Sequence, residues 1–139
     1  MAEANPTQRP VPVPDAASAP FWEAAKERRL VVQHCDECGA DQYPPDLICR
    51  HCRSARLSFV EASGKGSVYT YAVYTRSFMN GFEAPYVIAL VDLSDRAGVR
   101  MMTNIVETPI ETVAVGMPVE VTFEERGDWV LPQFRAAGS

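Results

Sequence analysis

Four cysteines in two pairs are the residues of this sequence whose types and spacing could do chemistry. Each pair has the spacing C-x-x-C, Cys35 with Cys38 and Cys49 with Cys52, and ten residues separate the two pairs. Four thiolates from two such turns can form a closed tetrahedral shell around Zn²⁺ that leaves no coordination position for water. The spacing therefore predicts one structural zinc ion, held by two turns that we call the first and second knuckles.

The same cysteines could instead form two redox-active dithiols or a pair of disulfides. Disulfides are rare in reducing compartments, and a redox C-x-x-C is typical of a βαβ pattern, which this sequence does not contain. His34 and His51 lie beside the knuckles. With four thiolates available, we expect both histidines to be surface residues near the metal and not ligands.

The residues around the knuckles favour a small β-ribbon. Leu30 to His34 form a predicted strand that leads into the first knuckle, and Gly39 follows this knuckle at a position where a tight turn often needs a positive φ. The equivalent position after the second knuckle is Arg53. A left-handed conformation would cost this arginine about 1–2 kcal/mol, which zinc binding can offset.

Composition and charge limit the classes of function. The chain has 139 residues, of which 47% are hydrophobic, so it can bury one core or two small ones. Its formal net charge of −5 gives no long-range attraction for nucleic acid, which we do not expect as a partner. The sequence has neither an export signal at its start nor an apolar run of membrane-spanning length. We therefore expect a soluble, cytoplasmic protein that does not bind membranes.

Three parts follow one another along the chain. Residues 1–18 are rich in proline and are expected to form a flexible tail. Residues 19–61 contain a predicted helix at 20–29, with proline in its first turn, and then the zinc ribbon. Residues 62–139 contain five predicted strands, at 67–75, 86–93, 99–106, 119–123 and 129–134. These predict a mainly β fold that ends in a five-stranded barrel of the OB type, although periodicity alone does not distinguish it from other small barrels.

Several short motifs, taken together and in order, make the chain resemble a known family. They are FWE at 21–23, YPP at 43–45 between the knuckles, GKGSVYTY at 64–71, APYVIALV at 84–91 and GMPV at 116–119. In this order they are similar to the family catalogued as domain of unknown function thirty-five. The resemblance covers about residues 20–135 and implies an N-terminal helix, a rubredoxin-like zinc ribbon and an OB-fold. Arg53 departs from the family's pattern, which often has glycine there.

The resemblance implies an accessory role in acyl-CoA metabolism. Family members are partners of thiolase-superfamily enzymes, including thiolases, retro-aldolases and acyltransferases of lipid, steroid or polyketide metabolism, and some are partners of MaoC-like hydratases. The chain is then expected to bind acyl-CoA, to scaffold its partner, or both, as part of a hetero-oligomer. The barrel sequence has no cysteine or histidine to act as nucleophile or base. Its clustered carboxylates are expected to be ordinary solvated charges: Glu120, Glu124, Glu125 and Asp128.

Two groups of residues are candidates for contacts with CoA or a partner. Arg50, Arg53 and Arg56 form a local basic patch that would suit the phosphates of CoA, or equally face solvent or a partner's carboxylates. The second group lies on and beside the connection between the first two barrel strands and consists of Phe78, Met79, Phe82 and Tyr86. Large apolar residues of this kind are enriched at interface cores, but they could also fold back over the mouth of the barrel.

Two further classes of function remain as alternatives. Zinc ribbons and OB barrels commonly bind nucleic acid, which the acidic charge of this chain disfavours. A free-standing enzyme would need a catalytic group outside the zinc shell, and the barrel offers only carboxylates.

Overall fold

A computed structural model describes residues 11–76 and 84–138, which form an N-terminal helix, a three-stranded zinc ribbon and a closed barrel. This is the predicted fold class. The elements are α1 (Ala19–Lys26), β1 (Val31–Cys35), β2 (Asp41–Gln42), β3 (Leu57–Glu61), β4 (Lys65–Tyr74), β5 (Tyr86–Leu93), β6 (Arg100–Ile105), a 3-10 turn (Ile110–Thr112), β7 (Pro118–Arg126) and β8 (Trp129–Ala136). None of the helices in the described residues has the length and apolar character needed to span a membrane.

Helix α1 is shorter than the predicted helix at 20–29. It ends in a Schellman motif, in which the N–H of Arg29 donates to the carbonyl of Ala24 and the N–H of Arg28 donates to that of Ala25. Arg28 has the left-handed φ of 58° that this motif requires. Because glycine usually occupies that position, the sequence carried no stop signal that would have placed the helix end correctly.

The ribbon is an antiparallel sheet with the order β2-β1-β3. Strand β1 lies in the middle, where Gln33 pairs with Gln42 on one side and with Phe59 on the other. It starts and ends one residue later than predicted, so Cys35 is its last residue and the first knuckle begins within a paired strand. This pairing fixes the direction of the first metal ligand.

The barrel closes in the order β4-β5-β6-β8-β7, which is the strand order of an OB-fold and confirms the predicted architecture. Strand β5 alternates strictly, with Val87, Ala89 and Val91 buried inside and the intervening side chains half-buried outside. Close packing at the start of β4 requires glycine. A Cβ on Gly66 would lie 2.4 Å from the carbonyl oxygen of Asp92, so a larger residue would separate β4 from β5.

One hydrophobic core runs through all three structural parts. Phe21 of α1, Val32 of the ribbon and Phe134 of the barrel belong to the same cluster, and each is almost fully buried. Arg28, just after the helix, also forms an ion pair with Glu125 of β7 at 2.8 Å. The helix therefore packs between ribbon and barrel.

Candidate metal centre

The four cysteine sulfurs converge on one point. All four Sγ atoms lie within 4.8 Å of one another, and the distances from Cys35 to Cys52 and from Cys38 to Cys49 are both 3.6 Å. Zinc–sulfur bonds of about 2.3 Å in a tetrahedron place the sulfurs about 3.8 Å apart, so this arrangement fits one Zn²⁺. Among the described residues, no other group of three or more cysteine, histidine, aspartate or glutamate side chains could hold a metal ion. The four cysteines therefore form the predicted structural zinc site, in which four thiolates complete the coordination shell.

The two knuckles have the same backbone hydrogen bonds. In each, the N–H four residues after the first cysteine donates to that cysteine's carbonyl, and the cysteine's own N–H donates to the carbonyl five residues later. The pairs are Gly39 to Cys35 at 2.9 Å, Arg53 to Cys49 at 2.8 Å, Cys35 to Ala40 at 2.8 Å and Cys49 to Ser54 at 2.8 Å. Gly39 has a φ of 81° and Arg53 a φ of 66°. Arg53 therefore adopts the left-handed conformation considered for it.

Backbone N–H groups point at the sulfurs. The N–H of Cys38 lies 3.4 Å from Sγ of Cys35, and that of His51 lies 3.3 Å from Sγ of Cys49. Backbone hydrogen bonds from Cys52 and then His51 lower the pKa of the Cys49 thiol to about 7, and a bond from Cys38 likewise lowers the pKa of Cys35. These contacts favour the thiolate, which is the form that binds zinc.

Neither histidine belongs to the sulfur cluster within the described part of the chain. His34 Nδ1 lies 2.7 Å from a carboxylate oxygen of Asp41, whose other oxygen lies 3.6 Å from the guanidinium of Arg96. His51 is exposed and contributes its backbone N–H to the site. His51 is therefore the exposed residue expected beside the metal, whereas His34 is half-buried and contacts Asp41.

A buried pair of glutamines supports the second knuckle, and the sequence analysis missed it. Gln33 and Gln42 are 3% and 6% exposed, and their side chains hydrogen-bond to each other at 2.7 Å. Gln33 also bonds both the N–H and the carbonyl of Asp46, while the amide oxygen of Gln42 accepts from the N–H of Arg50. The sequence gives one indication of this pair, because Gln33 is an uncharged polar residue that directly follows the apolar residues 30–32.

The three candidate arginines differ in their surroundings. Arg50 donates to the carbonyl of Pro44 at 2.6 Å and lies 3.8 Å from the carboxylate of Asp46, so its guanidinium is used within the ribbon. Arg53 and Arg56 are exposed, and neither forms an ion pair with any residue in 11–76 or 84–138. The structure thus leaves two of the three arginines available for a ligand or partner.

Of the four candidate interface residues, only Tyr86 lies within the described part of the chain. Phe78, Met79 and Phe82 lie outside the described residues. Tyr86 is half-buried at the start of β5, and its ring stacks on Tyr74 with centroids 5.2 Å apart.

Most carboxylates of the barrel cluster face arginines. Glu120 lies 3.2 Å from the guanidinium of Arg135, and Glu124 pairs with Arg126. Glu125 pairs with Arg28 after the helix. These three carboxylates each pair with an arginine, which suits structural charges better than proton transfer. Asp128 is exposed and forms no ion pair within the described residues.

Comparison with known protein families gives one match to the zinc ribbon and one to the barrel. Residues 22–58 match the family described as ChsH2, rubredoxin-like zinc ribbon domain, and residues 59–124 match ChsH2, C-terminal OB-fold domain. Among solved structures, a chain of the "Ltp2-ChsH2(DUF35) aldolase" superposes with a TM-score of 0.83 and 40% sequence identity. That match covers 92% of this chain and 100% of the other.

Curated relatives include both longer and similarly sized proteins. A "probable enoyl-CoA hydratase alpha subunit" of Thermomonospora curvata is 42% identical over 93% of this chain. The "3-oxo-4,17-pregnadiene-20-carboxyl-CoA hydratase alpha subunit" of Mycobacterium tuberculosis is 33% identical over 80% of it. The chain spans only 40% and 35% of the length of these two relatives. A "DUF35 domain-containing scaffold protein" of Methanocaldococcus jannaschii is 40% identical, with 77% of this chain and 79% of the relative aligned.

The two family matches, the four-sulfur site and the barrel topology agree along the described chain. The chain therefore belongs to the DUF35 family of zinc-ribbon and OB-fold proteins, with domains of the ChsH2 type.

Proposed function

We propose that this chain is a non-catalytic accessory subunit that scaffolds a thiolase-superfamily enzyme and helps bind its acyl-CoA substrate. The observation that carries the proposal is the likeness to the chain of the Ltp2-ChsH2(DUF35) aldolase, which extends over the whole of that chain at 40% identity. The name scaffold protein on the relative from Methanocaldococcus jannaschii supports the same role.

The chemistry of the described residues supports a non-catalytic role. Both histidines and all four cysteines of the sequence belong to the ribbon. The cysteines bind zinc, and His34 is held by Asp41. The barrel would have to catalyse with carboxylates, and three of the four in the cluster are paired with arginines. Nucleophile and general base must then come from the partner.

Contact with CoA is assigned to Arg53 and Arg56. Both guanidinium groups are exposed beside the second knuckle and lack carboxylate partners among the described residues. Guanidinium binds phosphate oxygens through two parallel hydrogen bonds. Arg50 would act indirectly, because its contacts with Pro44 and Asp46 hold the loop before the knuckle.

A MaoC-like hydratase is the alternative partner. The two longer relatives are both named as alpha subunits of CoA-ester hydratases, and this chain matches about two fifths of each. The same accessory role would then serve addition of water to an enoyl-CoA in place of carbon–carbon bond cleavage or formation.

Co-isolation tests the proposal. The tagged chain is co-expressed with a thiolase-like enzyme from the same organism and, separately, with a MaoC-like hydratase from that organism. We expect one stable complex, with turnover of acyl-CoA only when both subunits are present. Thiolysis, hydration or retro-aldol cleavage by the chain alone, after rigorous purification, would refute the non-catalytic role.

The interface assignment has its own variant in this experiment. Phe82→Ala should weaken the complex by about 2 kcal/mol or more while zinc content and melting temperature stay the same, as expected for a central aromatic anchor. Val115→Ala changes an apolar residue that is 67% exposed and serves as the control. If Phe82→Ala instead lowers stability by about 3–5 kcal/mol and leaves binding intact, the barrel covers this side chain.

A further inference from the structure

An open pocket of about 260 Å³ lies where helix α1, the ribbon and the barrel meet. Its wall is mainly apolar and includes Trp22 of the helix, Tyr43 of the ribbon, and Ile88, Met102 and Leu131 of the barrel. Ile88 and Met102 face outward from β5 and β6, the second and third barrel strands. This is the face that OB-folds commonly use for ligands. The volume is close to the lower end for small-molecule sites, which begins at about 300 Å³.

The pocket borders the place where barrel strands β6 and β8 meet, which we call the seam. Strands β6 and β8 run parallel and share a single register pair, Ile105 with Phe134. One residue earlier, the N–H of Asn104 donates to the side-chain oxygen of Gln133 at 3.1 Å and not to a backbone carbonyl of β8. The Thr103 hydroxyl donates to the same oxygen at 3.1 Å. The Gln133 side chain therefore bridges the two strands where their backbones separate.

The other end of the Gln133 amide, Nε2, has no hydrogen-bond partner among the described residues. Because its oxygen accepts from a backbone N–H, which can only donate, the orientation of the amide is determined. Within residues 11–76 and 84–138, nothing accepts a hydrogen bond from Nε2. Gln133 is only 5% exposed. Every fully buried side-chain nitrogen or oxygen of these residues has a hydrogen-bond partner, so Nε2, which has none, is not fully buried. Nε2 must therefore be reachable, and the cavity that Gln133 lines is the pocket.

We propose that this pocket binds a neutral, mainly apolar small molecule whose carbonyl oxygen accepts a hydrogen bond from Gln133 Nε2. The apolar wall favours a ligand without charge, and Arg126, which is the single cation among the described lining residues, already pairs with Glu124. A carbonyl oxygen would satisfy the donor that the fold leaves open at the seam. This site goes beyond the accessory role, because scaffolding does not require it and it does not involve the arginines of the ribbon.

A matched pair of probes tests the site in the complete, zinc-loaded chain. Acetophenone and ethylbenzene have nearly the same shape and differ in a carbonyl group. We expect acetophenone to bind about 2- to 10-fold more tightly, which corresponds to one net hydrogen bond of about 0.5–1.5 kcal/mol. In titrations of the ¹⁵N-labelled protein followed by NMR, the side-chain amide signals of Gln133 should shift with acetophenone and hardly with ethylbenzene.

Two kinds of variant distinguish binding at this site from nonspecific binding to exposed apolar surface. Gln133→Glu keeps the oxygen that Asn104 and Thr103 use but removes the donor, so the preference for acetophenone should disappear. Met102→Trp should fill the mouth and weaken both probes, whereas Val115→Trp, at a similarly exposed residue of the barrel outside the pocket, should not. Equal affinity of the two probes for the unmodified protein, or undiminished binding to Met102→Trp, would overturn the proposal even if Gln133→Glu failed to fold.

Discussion

The side-chain amides of Gln33 and Gln42 share one buried hydrogen bond, with Nε2 of Gln42 lying 2.7 Å from Oε1 of Gln33. The two residues face each other across β1 and β2. The two amides also bond backbone groups of Asp46, Ile48 and Arg50, which belong to the segment that leads into the second knuckle and begins it. One knuckle is therefore placed by strand pairing and the other by this glutamine pair.

Replacing one glutamine should loosen the second knuckle. Gln33→Leu leaves the N–H and carbonyl of the exposed Asp46 and an amide hydrogen of the buried Gln42 without their partner. The unsatisfied amide hydrogen of Gln42 should by itself cost about 1–3 kcal/mol, because Gln42 is buried. We expect a lower melting temperature and faster loss of zinc to a chelator. Leu47→Ala, at a side chain that is 67% exposed in the same segment, should change neither. Unaltered zinc release in Gln33→Leu would mean that the glutamine pair does not support the site.

Zinc content distinguishes the four thiolates from the neighbouring histidines. The purified chain should carry about one Zn²⁺, and its removal should unfold the ribbon because metal binding and folding are linked. Cys35→Ser or Cys49→Ser should lose the metal and become poorly soluble, whereas His51→Ala should retain it. Metal analysis and circular dichroism provide the readout. A metal-free protein with free thiols and an unchanged fold would contradict the structural role of zinc.

Arg53 should carry a measurable conformational cost. Its φ of 66° lies in the left-handed region, which costs a residue with a Cβ roughly 1–2 kcal/mol and costs glycine almost nothing. We expect Arg53→Gly to unfold at a higher temperature than Arg53→Ala, because both variants remove the side chain and only glycine removes the strain. Thermal unfolding of the zinc-loaded proteins measures the difference. Equal stabilities would indicate that the knuckle relaxes away from this conformation.

Reversal of charge at the ribbon should reduce CoA affinity in the assembled complex. Arg53→Glu or Arg56→Glu should each weaken binding by about 1.5–3 kcal/mol if the guanidinium donates to a phosphate. Lys65→Glu makes the same change of charge on an exposed residue at the start of the barrel and serves as the control. Isothermal titration with CoA measures the effect. The same small loss in all three variants would point to net charge and not to a phosphate site.

Local sequence patterns were sufficient to predict the zinc ligands and the five barrel strands of this protein. The C-x-x-C spacing is a short-range geometric constraint, so two knuckles and a four-thiolate site follow from it with little help from the rest of the chain. The five barrel strands were also predictable, because β-branched and aromatic residues alternate along them and glycine or proline separates them. The end of α1 was placed wrongly because Arg28 terminates the helix in a conformation usually adopted by glycine.

Only the tertiary structure decided how polar side chains are used. Gln33 and Gln42 are nine residues apart and Asn104 and Gln133 are 29 apart, and no periodicity reports which amide will meet which backbone group. The three ribbon arginines look equivalent in sequence, yet contacts with Pro44 and Asp46 occupy Arg50 and leave Arg53 and Arg56 exposed. A hydrogen bond depends on position and angle in three dimensions, so its partner is determined only when separate elements pack together.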